Sequence, residues 1–86
     1  MERELVHAKL QTIMRETFAN DNISINDATT AQDVTEWDSL GHLNLMMAIE
    51  KNFGVSLTAK EVRNMRHVGD LIGLVEKKMA ARNNVA

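Results

Sequence analysis

Glu36, Asp38, Ser39 and His42 fall within seven residues and form the densest group of reactive side chains in the chain. A serine beside an aspartate, with a histidine three positions on, invites a hydrolase reading in which imidazole deprotonates the hydroxyl. The spacing argues against it. Asp38 adjoins the serine instead of standing where it could orient the imidazole, and no loop offering oxyanion N–H groups is recognisable. No catalytic residue is assigned. The chemistry this stretch suits is the holding of an anion. Asp38 is a good helix N-cap. Ser39 is then the first helical residue, beside backbone N–H groups with no helical partner and at the positive end of the helix dipole, where a phosphate ester is favoured.

Other chemistries are excluded by what the chain lacks. It contains no cysteine, so disulfides, thiolate metal sites and a cysteine nucleophile are absent. His7, His42 and His67 do not combine with Asp or Glu at any metal-ligand spacing. The stretch from Asp21 to Asp33 has the acids of a calcium loop, but Ile23 stands where an oxygen ligand is needed and Asn26 where glycine is needed. No metal is expected.

The elements that must position Ser39 follow from periodicity. The chain has 86 residues and a mass of 9.7 kDa. It reads as a single domain over 1–86, with a core that buries roughly 60% of the unfolded surface and little room for a walled enzyme pocket. Val6, Leu10, Ile13, Met14 and Phe18 recur every three or four positions and predict a helix over about 3–18. Leu43, Met46, Met47, Ile49 and Phe53 predict a second over 39–53, closed by Gly54. Leu40 and Leu45 widen its apolar surface, so it either lies centrally or keeps an apolar edge for a partner. Thr58 and Glu61 make a capping-box pair for a short helix over 58–65, with Val62 and Met65 as its buried side. Val68, Leu71, Ile72, Val75 and Met79 predict a helix over 68–80, with Lys77 and Lys78 suited to its last turns. Residues beyond about 80 are expected to fray. The long connection from Ala19 to Trp37 needs Ile23, Ile25, Val34 and Trp37 to pin it to the bundle. The expected class is all-α: a four-helix bundle with three longer helices, one short third helix and a long first loop.

Charge is segregated. The net charge of −2 divides into +1 over residues 1–15, −7 over 16–50 and +4 over 51–86. The middle segment has no Lys or Arg, which argues against nucleic acid as its partner and for a partner with a basic surface. The bases of the last third (Lys60, Arg63, Arg66 and others) are spread over two helices and read as solvated faces, not as a DNA-binding surface. No apolar run approaches the ~18 residues of a membrane span. Met1-Glu2-Arg3-Glu4 is charged and lacks a following apolar stretch, so no signal peptide is expected and a cytoplasmic location is the default.

Asp38-Ser39-Leu40 opening an apolar helix, followed by Ala48-Ile49-Glu50-Lys51-Asn52-Phe53-Gly54-Val55, resembles the acyl carrier proteins. The resemblance extends over nearly the whole chain. It implies that Ser39 carries 4′-phosphopantetheine and that acyl groups travel as thioesters on its terminal thiol. A chain without cysteine then still performs thioester chemistry. The implied partners are a phosphopantetheinyl transferase and acyl-loading or acyl-processing enzymes (a ligase, ketosynthase or acyltransferase), met by a monomer. Leu40 and Met47 are the implied apolar docking spot, with Glu36, Glu50 and His42 beside it. The second helix departs from the pattern of fatty-acid carriers. Gly41, His42, Asn44 and Lys51 stand where acids are common, and Thr35-Glu36-Trp37 replaces the usual Leu-Gly before the motif. These departures suggest a specialised acyl pathway, polyketide synthesis or lipid modification among them. The alternatives are a peptidyl or aminoacyl carrier and an unmodified helical interaction module.

Overall fold

The computed structural model describes residues 3–83. It contains four helices in the order α1 (Arg3–Thr17), α2 (Ser39–Phe53), α3 (Ala59–Asn64) and α4 (Val68–Asn83). This is the expected all-α bundle: three longer helices, a short third and a long first loop. α1 packs against both α2 and α4. Val6, Leu10, Ile13 and Met14 of α1 meet Leu45, Met46, Ile49 and Phe53 of α2, with Val68, Leu71, Ile72 and Val75 of α4, in one buried cluster. The three- and four-residue spacings place each set on one side of its helix.

Local chemistry sets the helix ends. α2 stops at Gly54, which takes a left-handed conformation (φ 65°, ψ 39°) and donates its N–H to the Glu50 carbonyl. α1 ends where Ala19 turns left-handed (φ 51°), a conformation seldom adopted by residues with a Cβ. Thr58 and Glu61 form both halves of a capping box at the start of α3.

The first loop is held in three ways. Ile23, Ile25, Val34 and Trp37 are buried in the common core, as their apolar character requires. Three α1 side chains spaced four apart meet the loop backbone. His7 Nε2 lies 2.8 Å from the Ile25 carbonyl, Gln11 Oε1 accepts from the Ile25 N–H at 2.9 Å, and Arg15 Nε donates to the Ile23 carbonyl at 2.6 Å. The loop also caps α4. Val68 N–H donates to Thr29 O at 2.8 Å and Gly69 N–H to Asp27 O at 3.0 Å, which satisfies N–H groups that a helix start leaves without partners. Thr30 and His67 form an isolated antiparallel bridge at the same seam. Gly69 is needed there, because a Cβ would stand 2.9 Å from Asp27 O.

One expectation is refined and one corrected. Val62 and Met65 do face and pack against the core, but each is only half-buried, and α3 has no fully buried residue. Six residues make fewer than two turns, too short to press a continuous stripe into the core. α4 also continues through residues 81–83, so fraying does not begin at about 80; residues 84–86 lie outside the described residues. Lys78 is drawn to α3, its ammonium 3.0 Å from Glu61 Oε1. The Thr58 backbone N–H, followed by the Lys78 ammonium, holds the Glu61 carboxyl below its ordinary 4.5. At the other end Arg3 bridges Asp27 at 3.0 Å and Glu76 at 2.7 Å, and these carboxylates raise its already high pKa.

The direction of the Glu61 shift fixes a pH dependence. Its stabilisation is fully present above about pH 4.5, where the unfolded carboxyl is ionised, and is lost as pH falls through the lower folded value. Glu61→Gln keeps the capping geometry and removes the charge. The variant should lose up to about 1 kcal/mol at pH 7, and the gap from the parent should close below about pH 4.5. Urea denaturation across pH 3–7 measures both.

Candidate functional site

The start of α2 is built from its backbone outward. Asp38 takes extended dihedrals (φ −90°, ψ −167°) and its Oδ1 accepts from the Gly41 N–H at 2.8 Å. The Asp38 carbonyl accepts from the His42 N–H at 2.7 Å, the first bond of the helix. Of the first-turn donors, this leaves the Ser39 and Leu40 N–H groups unpaired among the described residues. Ser39 is exposed, and its hydroxyl makes no hydrogen bond among the described residues. An exposed hydroxyl beside two unpaired N–H groups at a helix N-terminus suits an anionic ester.

The serine sits between two anchors in the interior. Trp37, two residues before it, is 1% exposed, and His42, three residues after it, is 3% exposed. Their rings stack with centroids 6.1 Å apart and planes at 18°. The indole Nε1–H donates to His42 Nδ1 at 2.8 Å. An indole nitrogen only donates, so Nδ1 must accept, and the histidine proton resides on Nε2. That N–H donates to the Val62 carbonyl on α3. The relay therefore runs from the end of the first loop through α2 to α3. Breaking it would leave buried polar groups unpaired at about 1–3 kcal/mol each, against a gain of about 0.8 kcal/mol for each methylene group buried in their place.

This overturns the reading of His42 as a docking residue. Both ring nitrogens are occupied and the ring is buried, so it neither meets a partner nor acts as a base toward Ser39. The sequence carried a signal for it: an indole five positions before a histidine, across a helix start, is a donor in need of an acceptor.

Leu40 and Met47 are 68% and 66% exposed. Leu43, one of the residues of the broad apolar surface, is 53% exposed and lies with them on the outer face of α2, which is thus the apolar edge kept for a partner. Spacings of three and four align Leu40, Leu43 and Met47 as one apolar stripe running away from Ser39. Glu36 is half-buried, and its Oε2 accepts from Asn20 Nδ2 at 3.1 Å. Glu50 is half-buried too, and its Oε2 accepts from the Leu57 N–H at 3.0 Å, organising the turn toward α3. Each acid thus has a local task. Among the described residues no group of His, Asp and Glu could hold a metal ion, and no helix is long and apolar enough to cross a membrane.

Comparison with known proteins fits this geometry. No family model matches the chain. It is 34% identical over 76 residues to an acyl carrier protein from Phytoplasma australiense, an alignment covering 88% of this chain and all of that protein. Its fold superposes on a holo acyl carrier protein from Geobacter metallireducens with a TM-score of 0.86 and 33% identity, over 94% of this chain and 93% of that one. The crystal structure of an acyl carrier protein from Thermotoga maritima matches with a TM-score of 0.80 and 30% identity, over 95% of each. The chain belongs to the acyl carrier protein family. Its role is that of an acyl carrier.

Gly41 decides how closely the loop approaches the serine. A Cβ there would run into the Glu36 carbonyl oxygen, with Phe18 Cε1 at 3.1 Å on another side, whereas a Cβ on Gly73 of α4 meets nothing within 4 Å. Gly41→Ala should destabilise by about 1–3 kcal/mol through overpacking. Gly73→Ala, in an exposed helix interior, should stabilise by about 0.5–1 kcal/mol. Paired thermal melts give both signs.

Proposed function

We propose that Ser39 is the attachment site of 4′-phosphopantetheine and that the chain, itself without catalytic residues, presents acyl thioesters to partner enzymes in the cytoplasm. The observation that carries this reading is the exposed, unpaired Ser39 hydroxyl at the capped start of α2, in a chain of the acyl carrier protein family. The residues present fit the group. Ser39 supplies the ester oxygen, the Ser39 and Leu40 N–H groups favour the phosphate charge, and Asp38 holds the turn open by occupying the Gly41 N–H. When bound, the group supplies the thiol that the sequence lacks.

The partners proposed are a phosphopantetheinyl transferase and acyl-loading or acyl-processing enzymes. Charge supports the choice: six of the seven acids of residues 16–50 precede Ser39, and only Glu50 follows it. A partner would therefore place its basic groups toward the loop and an apolar pocket over Leu40, Leu43 and Met47. Glu36 and Glu50 retain a second carboxylate oxygen each for such contacts. The sparse acidity of α2 favours a specialised acyl pathway over general fatty-acid synthesis.

Incubation with coenzyme A, magnesium and a broad-specificity transferase should raise the intact mass by one phosphopantetheinyl group, and Ser39→Ala should abolish the gain. No gain with several transferases would leave an unmodified interaction module as the better reading. For docking, Leu43→Ala and Met47→Ala should each lower transferase kcat/KM by roughly threefold to thirtyfold, since losing an interface contact costs about 1–2 kcal/mol. Their melting temperatures should stay near the parent value, because both side chains are exposed.

A further inference from the structure

The buried Trp37–His42 pair has no part in attaching a group to Ser39, yet it occupies the interior directly behind that residue. His42 is a buried polar side chain that the carrier role leaves unexplained. Its Nε2–H reaches the Val62 carbonyl, so the bond ties α2 to α3. α3 has no fully buried residue. It is held by half-buried Val62 and by Met65 at its end, both packed against the core, by that bond, and by the Lys78–Glu61 ion pair at 3.0 Å. Beneath α3, Trp37 is among the largest fully buried side chains, packed in one cluster with Leu45, Met46, Ile49 and Ile72.

We infer that the Trp37–His42–Val62 relay is a latch that closes the α2–α3 gap to the acyl cargo, so that the chain carries its acyl group on the outside of the bundle. The inference rests on Ser39 bearing the arm. A chain entering between α2 and α3 must part His42 from Val62 and displace an indole whose N–H has its acceptor in the same histidine. The two hydrogen bonds fail together, and their buried partners would face methylene groups that offer no replacement. Trp37 and His42 are in this sense specificity-determining residues. They leave the acyl chain accessible to partner enzymes without extraction, and they favour cargo that tolerates water: short or polar acyl groups.

Trp37 is the single tryptophan, so fluorescence reports on the latch directly. The protein is loaded by a transferase with coenzyme A analogues bearing acetyl or decanoyl groups through a stable amide, and loading is verified by intact mass. In the parent protein, the Trp37 emission maximum and acrylamide quenching constant should be the same for both cargoes. In His42→Ala, decanoyl loading should change the quenching constant at least twofold relative to acetyl. Trp37→Phe keeps an aromatic ring and loses the donor. There the methyl resonances of Leu45 and Ile72 should move with decanoyl and not with acetyl, which supplies the reading if His42→Ala does not fold. A cargo-dependent Trp37 signal in the parent overturns the inference, because the chain then enters despite the relay. Variants as indifferent to decanoyl as the parent also overturn it, since something other than the relay would exclude the cargo. Failure of the mass to rise is a separate result, which removes the Ser39 attachment itself.

Discussion

The hydrogen bond from the Trp37 indole to His42 is the contact on which the arrangement around Ser39 depends. It joins the end of the first loop to the first turn of α2, and through the Val62 carbonyl it reaches α3. Ser39 lies on the short segment between the two rings, so its exposure is a consequence of their burial. A helix start alone would leave that segment free to fray. With a ring anchored on either side, the hydroxyl is presented at a fixed place while its neighbours face inward. The Asp38 cap completes this locally by taking the Gly41 N–H, and the absence of a side chain at Gly41 lets the Glu36 carbonyl approach the helix.

The long first loop is stable for a reason that extends the same logic. Nineteen residues without regular structure, from Ala19 to Trp37, must satisfy their backbone groups somewhere. His7, Gln11 and Arg15 of α1 meet the loop at Ile23 and Ile25 while those isoleucine side chains enter the core. Farther along, Asp27 and Thr29 give their carbonyls to the first N–H groups of α4. Loop and helix thus complete each other's hydrogen bonding. The acids of the loop are left largely on the surface, Glu36 and Asp38 close to Ser39 and Asp27 beside Arg3 at the start of α1, where they shape the field a partner meets.

Much of the architecture was legible because it rests on local rules. Apolar spacing located the helices, Thr58 with Glu61 and Gly54 marked ends, and Ile23, Ile25, Val34 and Trp37 stood out as the apolar residues of a polar loop. The candidate site was legible in part. Asp38 and Ser39 could be singled out from capping chemistry and from the motif they share with acyl carrier proteins. His42 and Leu43 were not. Both lie on a helix that is apolar on more than one side, and periodicity cannot tell which side meets the bundle. A polar ring was expected outside, and the Trp37 donor reversed that; whether Leu43 faced the bundle or a partner was open, and the position of α1 against α2 decided it. For α3 the inward side was legible and its depth was not. Val62 and Met65 pack against the core, but a helix of six residues leaves both half-buried.

What the sequence by itself determined, then, is the set of helices, their caps, the apolar residues that tie down the loop and the serine at the start of α2. These follow from interactions between residues a few positions apart. Only the tertiary structure decided which face of α2 looks outward, that His42 is a core residue linking three elements, and that α1 side chains carry the loop backbone. Those outcomes depend on groups distant in the chain arriving at one place. Twenty residues separate His42 from Val62 and fourteen separate Gln11 from Ile25, and no local pattern encodes the meeting.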